Sequence, residues 1–310
     1  MREVIYTSVL MLLCAMAWGS VFPLAKQILQ HMSGLSLSIW RFAIAVVGLF
    51  LFIKCVGKRL TTLSLRQYAT LAAVGGLGVG GLNLALFEGL QHTSATNGAL
   101  IMALSPIVTS LFSAGIERQS PDKAQVFKLV TAFFGVFLVV TNGDLSQFLA
   151  LEFNRGDLTI ALGMTAWSCY TVSSQKLSHW LPPMEFSLVT MSMGLSLLIL
   201  TSLFKPSVHP IDEIAALPTH LLLSLIYIAT FATVLGYIIW NHGVKVFGSS
   251  KASLYFNLVP VFAALVALLM GQEVTQVQLM GMVIVVSGLS LPALFTILIT
   301  DSSKRAQTDH

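Results

Sequence analysis

The chain has 310 residues, of which 55% are hydrophobic and 10% charged, with a mean hydropathy of +0.83. A soluble domain carries roughly 25% charged residues, so so few charges exclude a wholly water-exposed surface, and lipid is expected to solvate most of the exterior. The net charge of +4 lies in short stretches between apolar runs, with no basic stripe interleaved with aromatics, which excludes nucleic acid as a partner.

A bilayer core of about 30 Å is crossed by about 20 helical residues. Ten apolar runs of that order follow one another, at 5–29, 35–53, 68–91, 95–116, 124–142, 156–177, 184–204, 219–242, 249–270 and 276–298. They predict an all-α integral membrane protein of ten transmembrane helices, with short connections that make neighbours antiparallel. Arg2, the apolar run from Val4 and Ala15-Met16-Ala17 have the outline of a secretory leader. The Ala17-Trp18 pair recurs as Ala166-Trp167, and a cleaved leader has no reason to be duplicated, so this segment reads as the first membrane helix.

Polar and aromatic residues at mid-depth are candidates for substrate binding, because an amide in hydrocarbon must face protein or water. In chain order they are Trp18 and Phe22 in the first helix, Asn83 in the third, Asn97 and Ser105 in the fourth, Trp167 and Tyr170 in the sixth, Tyr237 in the eighth, and Tyr255 and Asn257 in the ninth. Interhelical hydrogen bonding accounts equally well for any single amide among them. Gly75, Gly76, Gly78, Gly80 and Gly81 crowd the third helix, either for tight packing or as a hinge. Pro106 and Pro260 fall near the centres of the fourth and ninth helices, where each removes a backbone donor. They read either as a pair of breaks beside a cavity or as packing kinks.

Lys26, Arg41, Glu88 and His92 lie near one end of the first three helices. One reading is snorkelled side chains with Glu88 in a salt bridge. The other is a set of gating and proton-coupling groups, with Glu88 and His92 four residues apart on one helical face and Lys26 or Arg41 as alternative partners. No Asp, Glu, Lys or Arg falls at the middle of a run, so a deeply buried carboxylate relay is not expected.

With the N-terminus placed in the cytoplasm, 13 Lys and Arg residues fall on the cytoplasmic side and two, Arg155 and Lys205, outside. The bias predicts both termini in the cytoplasm and an even number of helices. The sequence also repeats itself. Leu86-Phe87-Glu88-Gly89 precedes Pro106, and Trp240-Asn241-His242-Gly243 precedes Pro260, both Gly-to-Pro separations being 17 residues. Gln125, Lys128 and Gly135 then match Gln278, Gly281 and Gly288. Five helices per copy is an odd number, so the second copy must enter the membrane from the other side, as in transporters with inverted repeats. The predicted organisation is a first repeat at 1–142, an external linker at 143–155, a second repeat at 156–298 and a cytoplasmic tail at 299–310.

No Gly-x4-Gly-Lys, hydrolase or metal-ligand spacing occurs, and Cys14, Cys55 and Cys169 are isolated, so no cofactor, metal or catalytic set is predicted. The chain does resemble a known family over nearly its whole length. The matching residues are Ala17-Trp18-Gly19-Ser20 with Phe22, Arg41-Phe42, Asn83-x3-Phe87, Leu90, Thr93-Ser94-Ala95 and Pro106. In the second half they are Gly156-Asp157, Trp167-x2-Tyr170, Trp240, Gly248, Ala252, Pro260-Val261, Glu273, Gln278-x2-Gly281 and Gly288. This pattern resembles the EamA-type branch of the drug/metabolite transporter superfamily. Glu88, His92 and Lys128 depart from the family's usual residues. The resemblance implies a ten-helix secondary transporter of a bacterial inner membrane that exports small metabolites, amino acids or drugs by alternating access. The lack of a mid-depth cation favours a neutral or zwitterionic substrate, aromatic compounds included. Expected partners are that small molecule, membrane lipid and, if Glu88 couples transport, protons, with the protein a monomer or weak dimer. A membrane-embedded receptor or enzyme is the alternative, against which the repeat and the missing catalytic set both argue.

Overall fold

The computed structural model describes residues 2–93, 95–118, 121–144, 154–271 and 273–288. Helix α1 runs over Arg2–Ile28, and α2 over Gly34–Cys55, where the Ser33 hydroxyl accepts from the Ser36 amide. Helix α3, Leu65–Gly89, opens on a capping box of Ser64 and Gln67. Helix α4 comes in two pieces, Ala95–Ala103 and Ser105–Glu117, and α5, Lys123–Thr141, is capped by Asp122. Helix α6, Arg155–Leu177, opens on a second capping box, of Asn154 and Asp157. Then come α7, Pro183–Leu203, the short α8, Pro210–Ala215, and α9, Thr219–Phe247. Helices α10, Ser249–Leu269, and α11, Gln276–Gly288, complete the described chain.

Successive helices alternate in direction. Ile28, Gly34, Gly89 and Asp157 therefore gather at one end of the bundle, the Gly34 end, and Glu117, Gln125, Gln175 and Ser249 at the other, the Arg2 end.

Among the described residues, eight helices are long and apolar enough to cross a membrane: α1, α2, α3, α4 over Gly98–Glu117, α5, α7, α9 and α10. The expected number was ten. The two that fall outside this measure do so for different reasons. Helix α6 has 23 residues, but Thr, Ser, Gln and charged residues dilute it, and 11 of them are buried against protein. Helix α11 is apolar and has 13 described residues, the rest of its expected run to 298 lying outside the described chain. The third helix, expected to 91, stops at Gly89, with Leu90 as its cap.

Two irregularities occur twice, at matching places. Helix α3 widens to a π-helix over Gly76–Gly81, and α9 does so over Ile228–Leu235. Asn83 and Tyr237 each stand two residues beyond these segments. Helices α4 and α10 break just before Pro106 and Pro260. Leu104 (φ −77°, ψ −13°) and Leu258 (φ −81°, ψ −15°) have nearly the same backbone there. In α10 the break is a 3-10 segment, Leu254–Leu258. Proline has no N–H to donate and its ring clashes with the carbonyl four residues back, so each helix must loosen at that point.

Gly75, Gly78 and Gly80 of α3 serve close packing, whereas a Cβ at Gly76 would meet nothing. A Cβ at Gly75 would meet the Thr190 backbone of α7, and one at Gly78 would collide with the Tyr170 Cβ of α6. Side-chain-free contact of this kind is how helices associate where no water drives them together.

Candidate functional site

Four of the seven rings at the centre of the bundle come from two pairs that the local sequence aligns. Trp167 and Tyr170 are three residues apart on α6, as are Tyr237 and Trp240 on α9, a spacing that puts each pair on one helical face. Trp18 of α1 joins them. Its ring centroid lies 5.7 Å from that of Trp167, 6.1 Å from Tyr237 and 5.1 Å from Trp240. Phe256 of α10 closes one side, 5.9 Å from Trp18, and Phe42 of α2 another, 5.8 Å from Tyr237. Trp167 and Tyr170 are stacked at 5.2 Å. Edge-on and offset contacts at these distances are the favoured ring geometries.

The π-helical turn of α9 contributes a specific bond. In a regular helix the Gly236 amide would donate to the Ala232 carbonyl, but here it reaches Phe231 and Thr233 instead. The freed Ala232 carbonyl accepts the Trp18 indole N–H at 2.8 Å. On the far side of the cluster, the Tyr170 hydroxyl bonds Asn241 (3.0 Å) and Thr190 (3.3 Å), and the Asn241 amide also donates to the Ser187 hydroxyl at 2.9 Å. The Trp240 indole N–H and the Asn257 carbonyl oxygen are buried without partners.

The sequence therefore selected the interior faces at Trp18, Asn83, Ser105, Trp167, Tyr170, Tyr237 and Asn257, all buried or half-buried. The rings touch one another, however, so the space expected among them is filled. Open space lies elsewhere. A cavity of about 240 Å³ sits at the Gly34 end among α2, α3 and α7, and of the expected binding residues it is lined only by Asn83. Glu88, Gln91, Lys205, Ser38 and Asn83 are among its polar lining residues.

Several expectations need correction. Phe22 is 57% exposed on the outside of α1, because depth along a helix carries no information about face. Tyr255 is half-buried at the edge, where it stacks on Phe247 at 6.0 Å and donates to the Ser8 hydroxyl at 3.0 Å. The Asn97 side chain lies outside the described residues. Glu88 does not pair with His92, Lys26 or Arg41. Its partner is Lys205, from the connection after α7. The four-residue spacing to His92 fails because α3 ends at Gly89, leaving His92 exposed in the turn. Lys26 is exposed. Arg41 does not snorkel out of the bundle: its Nε is buried without an acceptor, and the guanidinium carbon lies 4.7 Å from the Phe42 ring. Lys205, Ser38, Trp240 and Asn241 were not singled out as site residues; for Trp240 and Asn241 the signal was present, as they open the repeated segment three and four residues after Tyr237.

Polar contacts hold both ends. At the Arg2 end, Gln125 of α5 bonds the hydroxyls of Ser110 (α4) and Ser250 (α10), which also bond each other at 2.9 Å. Gln175 of α6 donates to Glu117 at 3.0 Å and accepts from the Ser249 amide at 2.7 Å. At the Gly34 end, α8 straps down the start of α2. The Glu213 carboxylate accepts from the Ser33 amide (2.5 Å) and the His209 amide (3.0 Å), and Trp40 donates to the Pro210 carbonyl at 2.7 Å. Partial burial pushes the Glu213 carboxyl up, but these amides and the Ser36 and Ser33 hydroxyls outweigh it and hold the group below its ordinary value.

Comparison with known proteins gives concordant results. The EamA-like transporter family matches residues 5–141 and again 154–293. The chain is 34% identical over 271 residues to the uncharacterized transporter YyaM of Bacillus subtilis, covering 87% of this chain and 88% of that one. It is 28% identical over 292 residues to a probable amino-acid metabolite efflux pump of Salmonella typhimurium, covering 90% and 92%. One crystal structure superposes with a TM-score of 0.78 at 17% identity, over 95% of this chain and 98% of that chain, a likeness of fold alone.

Proposed function

The chain belongs to the EamA-like transporter family, and from that premise we propose that it is a secondary transporter exporting small neutral or zwitterionic metabolites by alternating access between its two halves. The observation that carries this reading is the paired irregularity of the two halves. Matching π segments in α3 and α9, and matching proline breaks in α4 and α10, surround one aromatic cluster. Irregular backbone at membrane depth belongs beside a cavity or a moving part. The amino-acid efflux names carried by relatives make amino acids the first compounds to try.

In this reading α6 and α11 complete ten spans, and the halves 1–142 and 156–298 lie in opposite orientations across an external linker at 143–155. Support comes from the placement of Asp157, near the start of α6, beside Thr93, at the end of the bundle opposite to the start of α1. Both termini and the 299–310 tail are cytoplasmic by the charge bias, in an inner membrane. The Arg2 end is then the cytoplasmic side, closed by Gln125, Ser110 and Ser250, while the 240 Å³ chamber faces outward. No chemical step on the substrate is part of the reading. Uptake of labelled amino acids into proteoliposomes tests it: counterflow of at least one compound is expected, and saturable binding without any flux would overturn it in favour of a receptor.

A further inference from the structure

Two offsets run through the sequence repeat. Trp18 and Trp167 are 149 residues apart, and so are the ends of α1 and α6, at Ile28 and Leu177, and the starts of α2 and α7, at Gly34 and Pro183. Gly89 and Gly243 are 154 residues apart, as are Gly81 and Leu235, where the two π segments end. Applied to the chamber at the Gly34 end, these offsets carry Leu29 to Ser178, Gly34 to Pro183, Phe87 to Asn241 and Gln91 to Lys245. Those four residues, with Ser174, Leu181 and Phe186, line a second pocket at the Arg2 end, between α6, α7 and α9. The two cavities are thus built from matching positions of the two halves. They differ in size: about 240 Å³ at the Gly34 end and about 10 Å³, room for one water molecule, at the Arg2 end.

The matching positions are bonded differently. Ser38 of α2 lines the chamber, and its hydroxyl has no partner. Its counterpart 149 residues on, Ser187 of α7, accepts from the Asn241 amide at 2.9 Å. Asn241 also donates to the Tyr170 hydroxyl at 3.0 Å, so it ties α9 to both α6 and α7 in the wall of the small pocket. Phe87, which holds the matching place in the chamber, lies against Gly34 and has no polar atom with which to make such bonds. We propose that the small pocket is the chamber's counterpart in its closed state. It widens into a cytoplasmic vestibule for the substrate as the chamber collapses, and the bonds of Asn241 are the latch that holds it shut. The proposal rests on the transporter reading and adds a route to it, between α6, α7 and α9, distinct from the Gln125 clasp of α4, α5 and α10. A latch of two neutral hydrogen bonds suits that role, because two states that exchange during transport differ by only a few kcal/mol.

The test is reciprocal accessibility in the full-length protein, with Cys14, Cys55 and Cys169 replaced by alanine. Ser174→Cys, at a buried position of the small pocket, reports the Arg2 end in inside-out vesicles, and Leu84→Cys, in the chamber, reports the Gly34 end in right-side-out vesicles. Each is timed against a membrane-impermeant maleimide. Asn241→Ala is expected to speed the reaction at Ser174→Cys about 5- to 10-fold, the population shift of roughly one net hydrogen bond, and to slow the reaction at Leu84→Cys. Ser187→Ala removes one of the two bonds. It should move both rates in the same directions by less, and it stands in if Asn241→Ala fails to fold. Local loosening of the pocket would speed the first reaction and leave the second as it was; that result overturns the proposal, as does no change in either rate. Counterflow in proteoliposomes separates the two readings. Counterflow of a labelled compound, with rates that move independently, removes the vestibule and leaves the transporter. Reciprocal rates without counterflow of any compound leave the paired cavities and remove the transporter.

Discussion

Trp18 donates its indole N–H to the carbonyl of Ala232, the acceptor that the π-helical turn of α9 takes away from Gly236. The bond ties α1 of the first half to α9 of the second at the aromatic cluster. Trp18→Phe keeps a ring and removes the donor, leaving that carbonyl unpaired. An expected loss of about 1–3 kcal/mol follows from an unsatisfied buried group. Thermal unfolding in detergent checks it, and a variant as stable as wild type would show that the π turn is held by α9 alone.

Glu88 and Lys205 are a half-exposed pair, with side chains 42% and 37% accessible. Such pairs contribute about 0–1 kcal/mol. Glu88→Gln is therefore expected to change the unfolding midpoint little and to leave the pH profile of transport as it is in wild type. A pH dependence that disappears in the variant would instead make Glu88 the coupling group.

The clasp of Gln125, Ser110 and Ser250 should hold the Arg2 end shut. Gln125→Ala removes its centre. A cysteine placed at Ser110 is expected to react with a membrane-impermeant thiol reagent faster in the Gln125→Ala background, measured on inside-out vesicles. Equal rates in both backgrounds would mean that apolar packing alone seals this end.

Glu213 gives a pH prediction. Its folded value lies below the ordinary 4.5, so its bonds to α2 stabilise the protein fully above that pH. The contribution is lost as pH falls through the lowered folded value. Melting curves of wild type and Glu213→Gln should differ near neutrality and converge in acid. A gap that stays constant from neutral to strongly acidic pH would remove ionised Glu213 from the account of the α8 strap.

Topology follows from reporter fusions after Gly57, Asp144 and Ser302. The first and last are expected to read cytoplasmic and the middle one external. A cytoplasmic signal at Asp144 would make the two halves parallel.

The features legible in the sequence are those whose causes are local. Pro106 and Pro260 break their helices because of the proline ring itself, and Gly75 and Gly78 signal close approach because nothing larger fits. The rings of Trp167, Tyr170 and Tyr237 were chosen by depth, and they lie together in one buried layer of the bundle. Depth says nothing about azimuth, and Phe22 accordingly lies outside. A salt bridge at Glu88 is foreseeable and present, but its partner is Lys205, 117 residues away in a connection, and not His92, Lys26 or Arg41. Only the packing of α3 against α7 brings the two together. Arg41 was placed near a helix end by counting, and counting cannot reveal that its Nε is enclosed by other helices.

Helix α6 holds Trp167 and Tyr170, yet it is the long helix too polar to meet the measure for crossing a membrane unaided. Most of its hydroxyls bond carbonyls one turn back in the same helix, while Ser168 also meets the Ser105 hydroxyl of α4 and Asp157 accepts from Thr93. A segment with this composition partitions poorly into bare lipid. Its seat is made of residues synthesised earlier: Gly78, Ala85 and Gly89 of α3. The order of the two halves along the chain is thus also an order of biogenesis, in which the first half supplies the solvent for the helix that opens the second.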